Sequence, residues 1–229
     1  MQLPEKVING IGFVLFSLML YGFYQGLYVA PSEAMQGEVY RIIYLHVPSA
    51  ASCFLAAFIL LGLSILGLVQ KNEGMLQKQV ACVEVGLLFT IITLITGSVW
   101  GRPTWGTWWT WDARLTTTLL LGVLYAGFRI LYNSLEPGRK RVITCSILGI
   151  IIAADVPIIY KSVTWWRTLH QPPSIIRSGG DVLSPEIRSI LTFSLVATTT
   201  FTIWLIYKRS RNIALRNQIE EQSYSEWNA

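Results

Sequence analysis

Charge is scarce in this sequence. Only 14% of its 229 residues are charged and 52% are hydrophobic, whereas soluble domains carry about 25% charged residues. The apolar residues come in blocks of about 20 rather than with the periodicity of soluble helices or strands. Because blocks of that length span a lipid bilayer as helices, we expect an all-α integral membrane protein.

Cysteine is scarce too, and the motifs that usually give it a role are missing. Cys53, Cys82 and Cys145 lie within apolar blocks, without C-x-x-C, C-x-x-C-H or zinc-type spacing. We expect buried thiols, with neither a disulfide nor a covalently attached cofactor.

The nucleotide-binding pattern G-x-x-x-x-G-K-[ST] is absent, so ATP hydrolysis by that route is excluded. The 18 Lys and Arg exceed the 13 Asp and Glu, but no basic helix or aromatic-basic array indicates nucleic-acid binding.

Six apolar blocks are long enough to cross a membrane. They cover residues 11–29, 50–69, 80–99, 115–135, 142–160 and 187–207. We therefore expect one six-helix membrane domain over 1–207 and a polar cytoplasmic tail over 208–229. Tyr21, Tyr24 and Tyr28 fit an aromatic belt at the end of the first block, which favours a retained anchor over a cleaved signal peptide.

The basic residues predict the orientation of the spans. Short segments near span ends hold most of them, and the positive-inside rule places those segments in the cytoplasm together with both termini. The residues concerned are Lys6, Lys71, Lys78, Arg139, Lys140, Arg141, Lys208, Arg209, Arg211 and Arg216. The three opposite loops are longer and rich in Trp and Pro, so we expect the function at the outer face.

The loop between the third and fourth spans is unusually rich in tryptophan. Residues 100–116 hold five of the nine tryptophans. The alternative is an aromatic belt, which has no binding role and usually places few aromatic residues at each helix end. We therefore expect an interfacial segment with a binding role.

A short interfacial helix over 107–114 would turn this loop into a flat aromatic surface. Gly101, Pro103 and Gly106 predict that the third helix breaks before it. On such a helix one face would combine four side chains, those of Trp105, Trp108, Trp109 and Asp112. A large planar ligand such as a porphyrin can stack there, while Arg114 or Arg102 pairs with its carboxylates.

The sequence has two histidines, and both lie in the outer loops that flank the tryptophan-rich loop. His46 and His170 each stand two residues before a proline, Pro48 or Pro172, that can begin a helix at its first turn. A lone interfacial histidine usually has no special role, but this pair can hold one haem iron from opposite faces. Zinc is disfavoured because neither a cysteine nor a carboxylate lies at suitable spacing.

Residues 105–116 read Trp-Gly-Thr-Trp-Trp-Thr-Trp-Asp-Ala-Arg-Leu-Thr. This string resembles the central motif of the tryptophan-rich haem-handling proteins of cytochrome c biogenesis. Six spans, the chain length and one histidine in each of the first and third outer loops resemble, within that group, the haem exporter C family. The resemblance covers the chain up to about residue 207.

The resemblance implies a protein of the bacterial inner membrane that holds haem b non-covalently at its periplasmic face and presents it to a membrane-anchored haem chaperone. It implies axial ligation by His46 and His170. It also implies a haem platform formed by Trp105, Trp108, Trp109, Trp111, Asp112 and Arg114. The implied partners are ATPase and permease subunits of an ABC transporter and a small membrane subunit. Whether the protein assists covalent attachment to the chaperone or only positions the haem stays open.

Two other functions fit the pattern less well. A cytochrome b-like redox subunit takes its ligands from histidines within spanning helices, whereas His46 and His170 are expected at loop-proline junctions. The permease half of an ABC transporter couples through substantial cytoplasmic loops, which are short here. Asp155 is a carboxylate within the fifth block, and we favour a hydrogen bond to a neighbouring helix, or a place in the floor beneath the haem, over a proton-relay role.

Overall fold

The computed structural model describes residues 4–170 and 183–227, and these ranges form helices and no strand. Six of the helices are long and apolar enough to cross a membrane. They are α1 (Glu5–Tyr24), α2 (Ile43–Gln70), α3 (Glu73–Trp105), α4 (Ala113–Ser134), α5 (Arg139–Trp165) and α6 (Pro185–Trp227). The predicted all-α fold with six membrane spans is confirmed.

The second helix begins well before the predicted span. A 3-10 turn, Glu38–Ile42, leads directly into α2, so His46 lies in the first turn of α2 and Pro48 lies inside the helix. The expectation that Pro48 starts the helix is therefore wrong. The hydroxyl of Ser49 donates to the carbonyl of Leu45 at 2.7 Å, a local bond that is compatible with helical backbone around the proline. The corresponding expectation for Pro172 lies outside the described residues.

The third helix is also longer than predicted. Gly101 and Pro103 lie inside α3, and the helix ends only at Trp105. The next residue, Gly106, has a φ of 78°, in the left-handed region that favours glycine. The predicted short helix over 107–114 is wrong, because 107–112 are not helical and α4 begins at Ala113. Only residues 106–112 of the tryptophan-rich loop form an irregular connection between two spans, and its other residues belong to α3 and α4.

The helices pack around α2, which contacts α3, α5 and α6, while α4 packs on α3 and α5 and α1 packs on α6. Within the apolar windows of the helices, 56% of the residues of α3 are buried but only 22% of those of α1. Most of α1 therefore lies outside the core of the bundle. Cys53, Cys82 and Cys145 are buried free thiols, as predicted.

Alternation of the six helices gives the bundle two unlike ends. At one end the connections are short, and Glu84 of α3 forms ion pairs with Arg129 of α4 and Arg209 of α6. The last helix continues through residue 208 to Trp227, so the predicted tail extends α6 without a break. At the other end lie the connections after α1, α3 and α5, which carry or adjoin both histidines. We call this the histidine end.

Candidate functional site

A cleft lies at the histidine end, and its empty space, counted out to the open surface, is about 570 Å³. Much of the wall is apolar, with contributions from Ala50, Phe54, Leu94 and Leu115. Its histidine, tryptophan and arginine side chains are those of His46, His170, Trp100, Trp105, Trp109 and Arg114.

The two histidines come together in this cleft. His46 is on α2 and His170 follows α5, yet their ring centroids are 6.4 Å apart with an interplanar angle of 35°. Sequence analysis placed them on either side of the tryptophan-rich loop. The fold goes further, because both imidazoles line the same space.

Three residues of α3 surround the His46 ring. The Nδ1 atom of His46 lies 3.0 Å from Oγ1 of Thr96. A side chain at Gly97 would bring its Cβ to 3.1 Å from the ring carbon Cε1, so the imidazole packs directly against the backbone. Trp100 meets the ring edge to face, with centroids 5.7 Å apart. His46 is only 9% exposed, so its orientation is set by these contacts.

Trp100 also ties α3 to the connection between α1 and α2. Its Nε1 donates to Oε1 of Gln36 at 2.9 Å. Tyr40 packs edge to face on the same indole, with centroids 6.2 Å apart. The wall behind His46 is therefore held by two neighbouring segments of the chain.

Asp112 links the tryptophan-rich loop to the segment that carries His170. Its Oδ1 accepts from the N–H of Leu115 at 2.9 Å and so caps α4. Its Oδ2 accepts from the Thr168 hydroxyl at 2.7 Å and from the Leu169 N–H at 3.2 Å. The His170 N–H in turn donates to the Thr168 hydroxyl at 3.1 Å. Asp112 is not part of the cleft wall, and its contacts are those of a residue that positions His170.

The tryptophans divide into two sets rather than forming one flat shelf. Trp105 and Trp109 line the cleft, and the ring of Trp105 is 6.2 Å from that of His170. Trp108 and Trp111 are 58% and 76% exposed. Consecutive residues of a non-helical segment point in different directions, so the shared face expected from helical spacing does not form.

The cleft wall carries one arginine and, among the described residues, no carboxylate. Nη1 of Arg114 is buried and has no hydrogen-bond partner within the described part of the chain. A buried guanidinium nitrogen without a partner is costly unless a ligand supplies an acceptor. Arg102, the other arginine considered, donates to the Gly106 carbonyl at 2.5 Å and completes the end of α3. The cleft therefore suits an anionic ligand.

Thr96, Gly97 and Trp100 lie at the site, although none of them was assigned to it from the sequence. Buried threonines in spanning helices commonly bond their own backbone, and glycine is frequent there, so neither residue carries a distinct signal. Trp100 was visible as part of the tryptophan-rich loop, but only the fold places it against His46. All three can be recognised once α2 and α3 are packed together.

Asp155 does not take part in this site. Its side chain is buried in α5, and it is not among the residues that line the cleft. Its Oδ2 has no hydrogen-bond partner among residues 4–170 and 183–227. The hydrogen bond to a neighbouring helix that we favoured is therefore not made by this oxygen, nor does the residue form the cleft floor.

These features define a six-helix membrane protein with a cleft of histidine, tryptophan and arginine at one end. A family model for heme exporter protein C matches residues 1–225, and the chain belongs to this family. It is 39% identical to heme exporter protein C of Escherichia coli strain K12 over 86% of this chain and 80% of that protein. Identity to heme exporter protein C of Bradyrhizobium diazoefficiens is 34%, over 96% and 83%. A mitochondrial protein of Marchantia polymorpha named for cytochrome c biosynthesis is 41% identical, over 86% and 82%.

The position of His46 within α2 weakens one argument against a cytochrome b-like subunit. That argument placed both histidines outside the spanning helices, and it is wrong for His46, which is buried in α2. The chain is now distinguished from a cytochrome b-like subunit by its family membership instead.

Proposed function

We propose that the protein binds haem b non-covalently in the cleft at the histidine end, on the periplasmic face of a bacterial inner membrane. It then presents the haem to a membrane-anchored chaperone during c-type cytochrome biogenesis. Partners in this proposal are the ATPase and permease subunits of an ABC transporter and a small membrane subunit. The names of its relatives, which refer to heme export and cytochrome c biosynthesis, support this role.

The observation that carries the proposal is the meeting of the two histidines. A histidine nitrogen binds a metal ion at about 2.0–2.1 Å, so two axial imidazole nitrogens on one ion are about 4 Å apart. Two imidazoles with centroids 6.4 Å apart reach that spacing when one nitrogen of each ring points toward the other. The pair is therefore compatible with bis-histidine ligation of one iron.

The remaining cleft residues suit the organic part of the ligand. Trp105 and Trp109 offer aromatic faces for a porphyrin. Arg114 offers a buried donor without a partner among the described residues, and a propionate is the natural acceptor. In this arrangement the apolar wall excludes water while the arginine fixes which edge of the ligand is inward.

The other predicted platform residues act from outside the cleft wall. Asp112 holds the segment before His170 through Thr168 and Leu169, so we assign it a positioning role. Trp108 and Trp111 are exposed and are not among the residues that line the cleft, so they can contact lipid headgroups or the chaperone at the interface. Holding the ligand with one edge accessible accelerates transfer through orientation alone.

The visible spectrum of the purified full-length protein tests the axial ligands. After titration with haemin, wild-type protein should give a low-spin spectrum. His46→Ala and His170→Ala should each lower haem retention or change the spin state, because each removes one ligand. A normal low-spin spectrum in the double variant would overturn the assignment.

Two neighbouring tryptophans allow a matched test of the platform. Trp109→Ala should weaken haemin binding because Trp109 lines the cleft, while Trp108→Ala removes an exposed side chain of the same type and should leave binding near wild type. Arg114→Gln should weaken the binding of haemin more than the binding of a porphyrin whose propionates are esterified. Equal effects of the two tryptophan variants, or equal loss for both porphyrins, would contradict these roles.

The role in delivery needs the partners. Membrane vesicles that contain the chaperone should load it with haem when wild-type protein is present and lose that loading with the double histidine variant. Retained haemin binding without chaperone loading in vesicles that lack the ABC subunits would assign those subunits to the delivery step. Chaperone loading at the wild-type rate with the double histidine variant would contradict delivery from this cleft.

A further inference from the structure

Thr96 is placed to determine which nitrogen of His46 carries the proton. Its Oγ1 is 3.0 Å from Nδ1 of His46. The same oxygen is 2.7 Å from the carbonyl oxygen of Ile92 and 3.2 Å from that of Thr93. Three possible partners therefore surround a hydroxyl that has one proton to donate.

One assignment of the protons gives both of the shortest contacts in this cluster a hydrogen, those of Thr96 with Ile92 and with His46. The two carbonyl oxygens can only accept, and the shorter contact, to Ile92, takes the hydroxyl proton. The Thr96 oxygen must then accept the bond from His46, so Nδ1 carries the hydrogen. A neutral imidazole has one N–H, which leaves the lone pair on Nε2. Nε2 is the nitrogen that can bind a metal ion.

Packing holds the ring in the orientation that this bond requires. The Cε1 atom rests against Gly97, where an added Cβ would be 3.1 Å away. Trp100 packs on the ring at an interplanar angle of 73°. A half-turn of the imidazole would place the carbon Cδ2 where Nδ1 now lies and lose the hydrogen bond to Thr96. The contacts from α3 therefore act together with that bond.

We infer that Thr96 is a positioning residue that holds His46 in its Nδ1-protonated tautomer and directs Nε2 toward the bound metal. The inference rests on the proposed function, since it concerns the use of His46 as an axial ligand. Metal-binding histidines generally donate their second N–H to a fixed acceptor, which orients the ring and makes it a stronger ligand. Loss of such a partner lowers metal affinity or activity about 10- to 100-fold.

The tautomer can be measured without haem. The chain has two histidines, so ¹⁵N-histidine labelling gives two pairs of imidazole nitrogen signals, and His170→Gln leaves only the pair from His46. In haem-free full-length protein in lipid nanodiscs, NMR should show a protonated Nδ1 and an unprotonated Nε2 for His46. A proton on Nε2 in the wild-type protein would overturn the inference whatever the variants do.

Variants at residue 96 then separate the hydrogen bond from packing. Thr96→Val keeps the shape but removes the acceptor, so a population with the proton on Nε2 should appear. Thr96→Ser keeps the hydroxyl and should restore the wild-type tautomer. Thr90→Val is the matched control, because the hydroxyl of Thr90 donates to the carbonyl of Gly86 in the same helix. An unchanged tautomer in Thr96→Val would also overturn the inference.

A haemin titration links the tautomer to ligation. Thr96→Val should lower affinity for haemin about 10- to 100-fold and shift the reduction potential, while Thr96→Ser and Thr90→Val stay near wild type. A wild-type potential and affinity in Thr96→Val, with ligation lost in His46→Ala, would refute the role of Thr96 alone. No effect of His46→Ala on ligation would instead refute the proposed function.

Discussion

Replacing Asp112 by asparagine should loosen the segment that carries His170 while leaving the start of α4 capped. Asparagine caps helices about as well as aspartate, so its oxygen can keep the bond to Leu115. Its amide group then faces Thr168 and Leu169 in place of the second carboxylate oxygen. The Thr168 hydroxyl can accept from the amide, but the Leu169 N–H meets another donor and loses its partner.

The expected size of the effect follows from the bonds that change. A hydrogen bond to a charged group contributes about 1.5–3 kcal/mol. Leu169 is 49% exposed, so water replaces part of the lost bond and the lower end applies. About 1.5 kcal/mol corresponds to roughly a tenfold change in an equilibrium constant. Because apparent affinity scales with the population of the competent state, haemin affinity should fall by up to about tenfold.

Two measurements on the purified protein check this prediction. Hydrogen–deuterium exchange should be faster in the peptide that ends at His170 and unchanged in the first turn of α4. A haemin titration should give the weaker affinity. Asp112→Ala is the control, because it removes both the cap of α4 and the contacts with Thr168 and Leu169. It should therefore also speed exchange at the start of α4.

The reasoning would be refuted if Asp112→Asn left both exchange before His170 and haemin affinity at wild-type values. A second check uses Thr168→Val, which removes the hydroxyl that joins Asp112 to the His170 N–H. Because both changes disrupt one connection, their effects on affinity should be less than additive in the double variant. Full additivity would mean that the two side chains act separately.

Three further substitutions test the contact of α3 with His46, the backbone after α3 and a buried hydrogen bond between α4 and α2. Gly97→Ala should displace the His46 ring and lower haemin affinity, whereas Gly127→Ala, with no atom within 4 Å of the added Cβ, should not; equal affinities would contradict the close contact. Gly106→Ala should destabilise the fold by about 1–2 kcal/mol because of its left-handed backbone, measured as a lower midpoint of thermal unfolding. Tyr125→Phe removes a buried hydroxyl that donates to a backbone carbonyl of α2 at 2.9 Å. It should lower the free energy of unfolding by about 0.5–1.5 kcal/mol without changing haemin affinity. An unchanged unfolding midpoint would show that the bond adds no stability.

The spans could be predicted because a helix that crosses the hydrocarbon core of a bilayer needs about 20 apolar residues in a row, which is a property of local composition. Each block of about 20 apolar residues is visible without knowledge of its neighbours, and all six reappear as helices. The helix ends were predicted less well. His46, Pro48 and Gly101 lie within helices because packing at the histidine end extends α2 and α3 beyond the apolar blocks.

Several residues named from the sequence lie together in the fold, but their arrangement could not be predicted. Both histidines, Trp105, Trp109 and Arg114 were singled out from the sequence, and all five line one cleft. The division of the tryptophans could not be predicted, because it depends on the irregular path of 107–112. A helical spacing rule has no meaning where no helix forms.

The sequence by itself determined the membrane environment, the number of spans and the chemistry available at the histidine end. Those properties are carried by local composition and by a short, specific motif. Only the tertiary structure decided which atoms meet, such as Thr96 with His46 and Asp112 with Thr168. These pairs lie on different helices or connections, and side chains distant in the chain acquire a common geometry only when the helices pack.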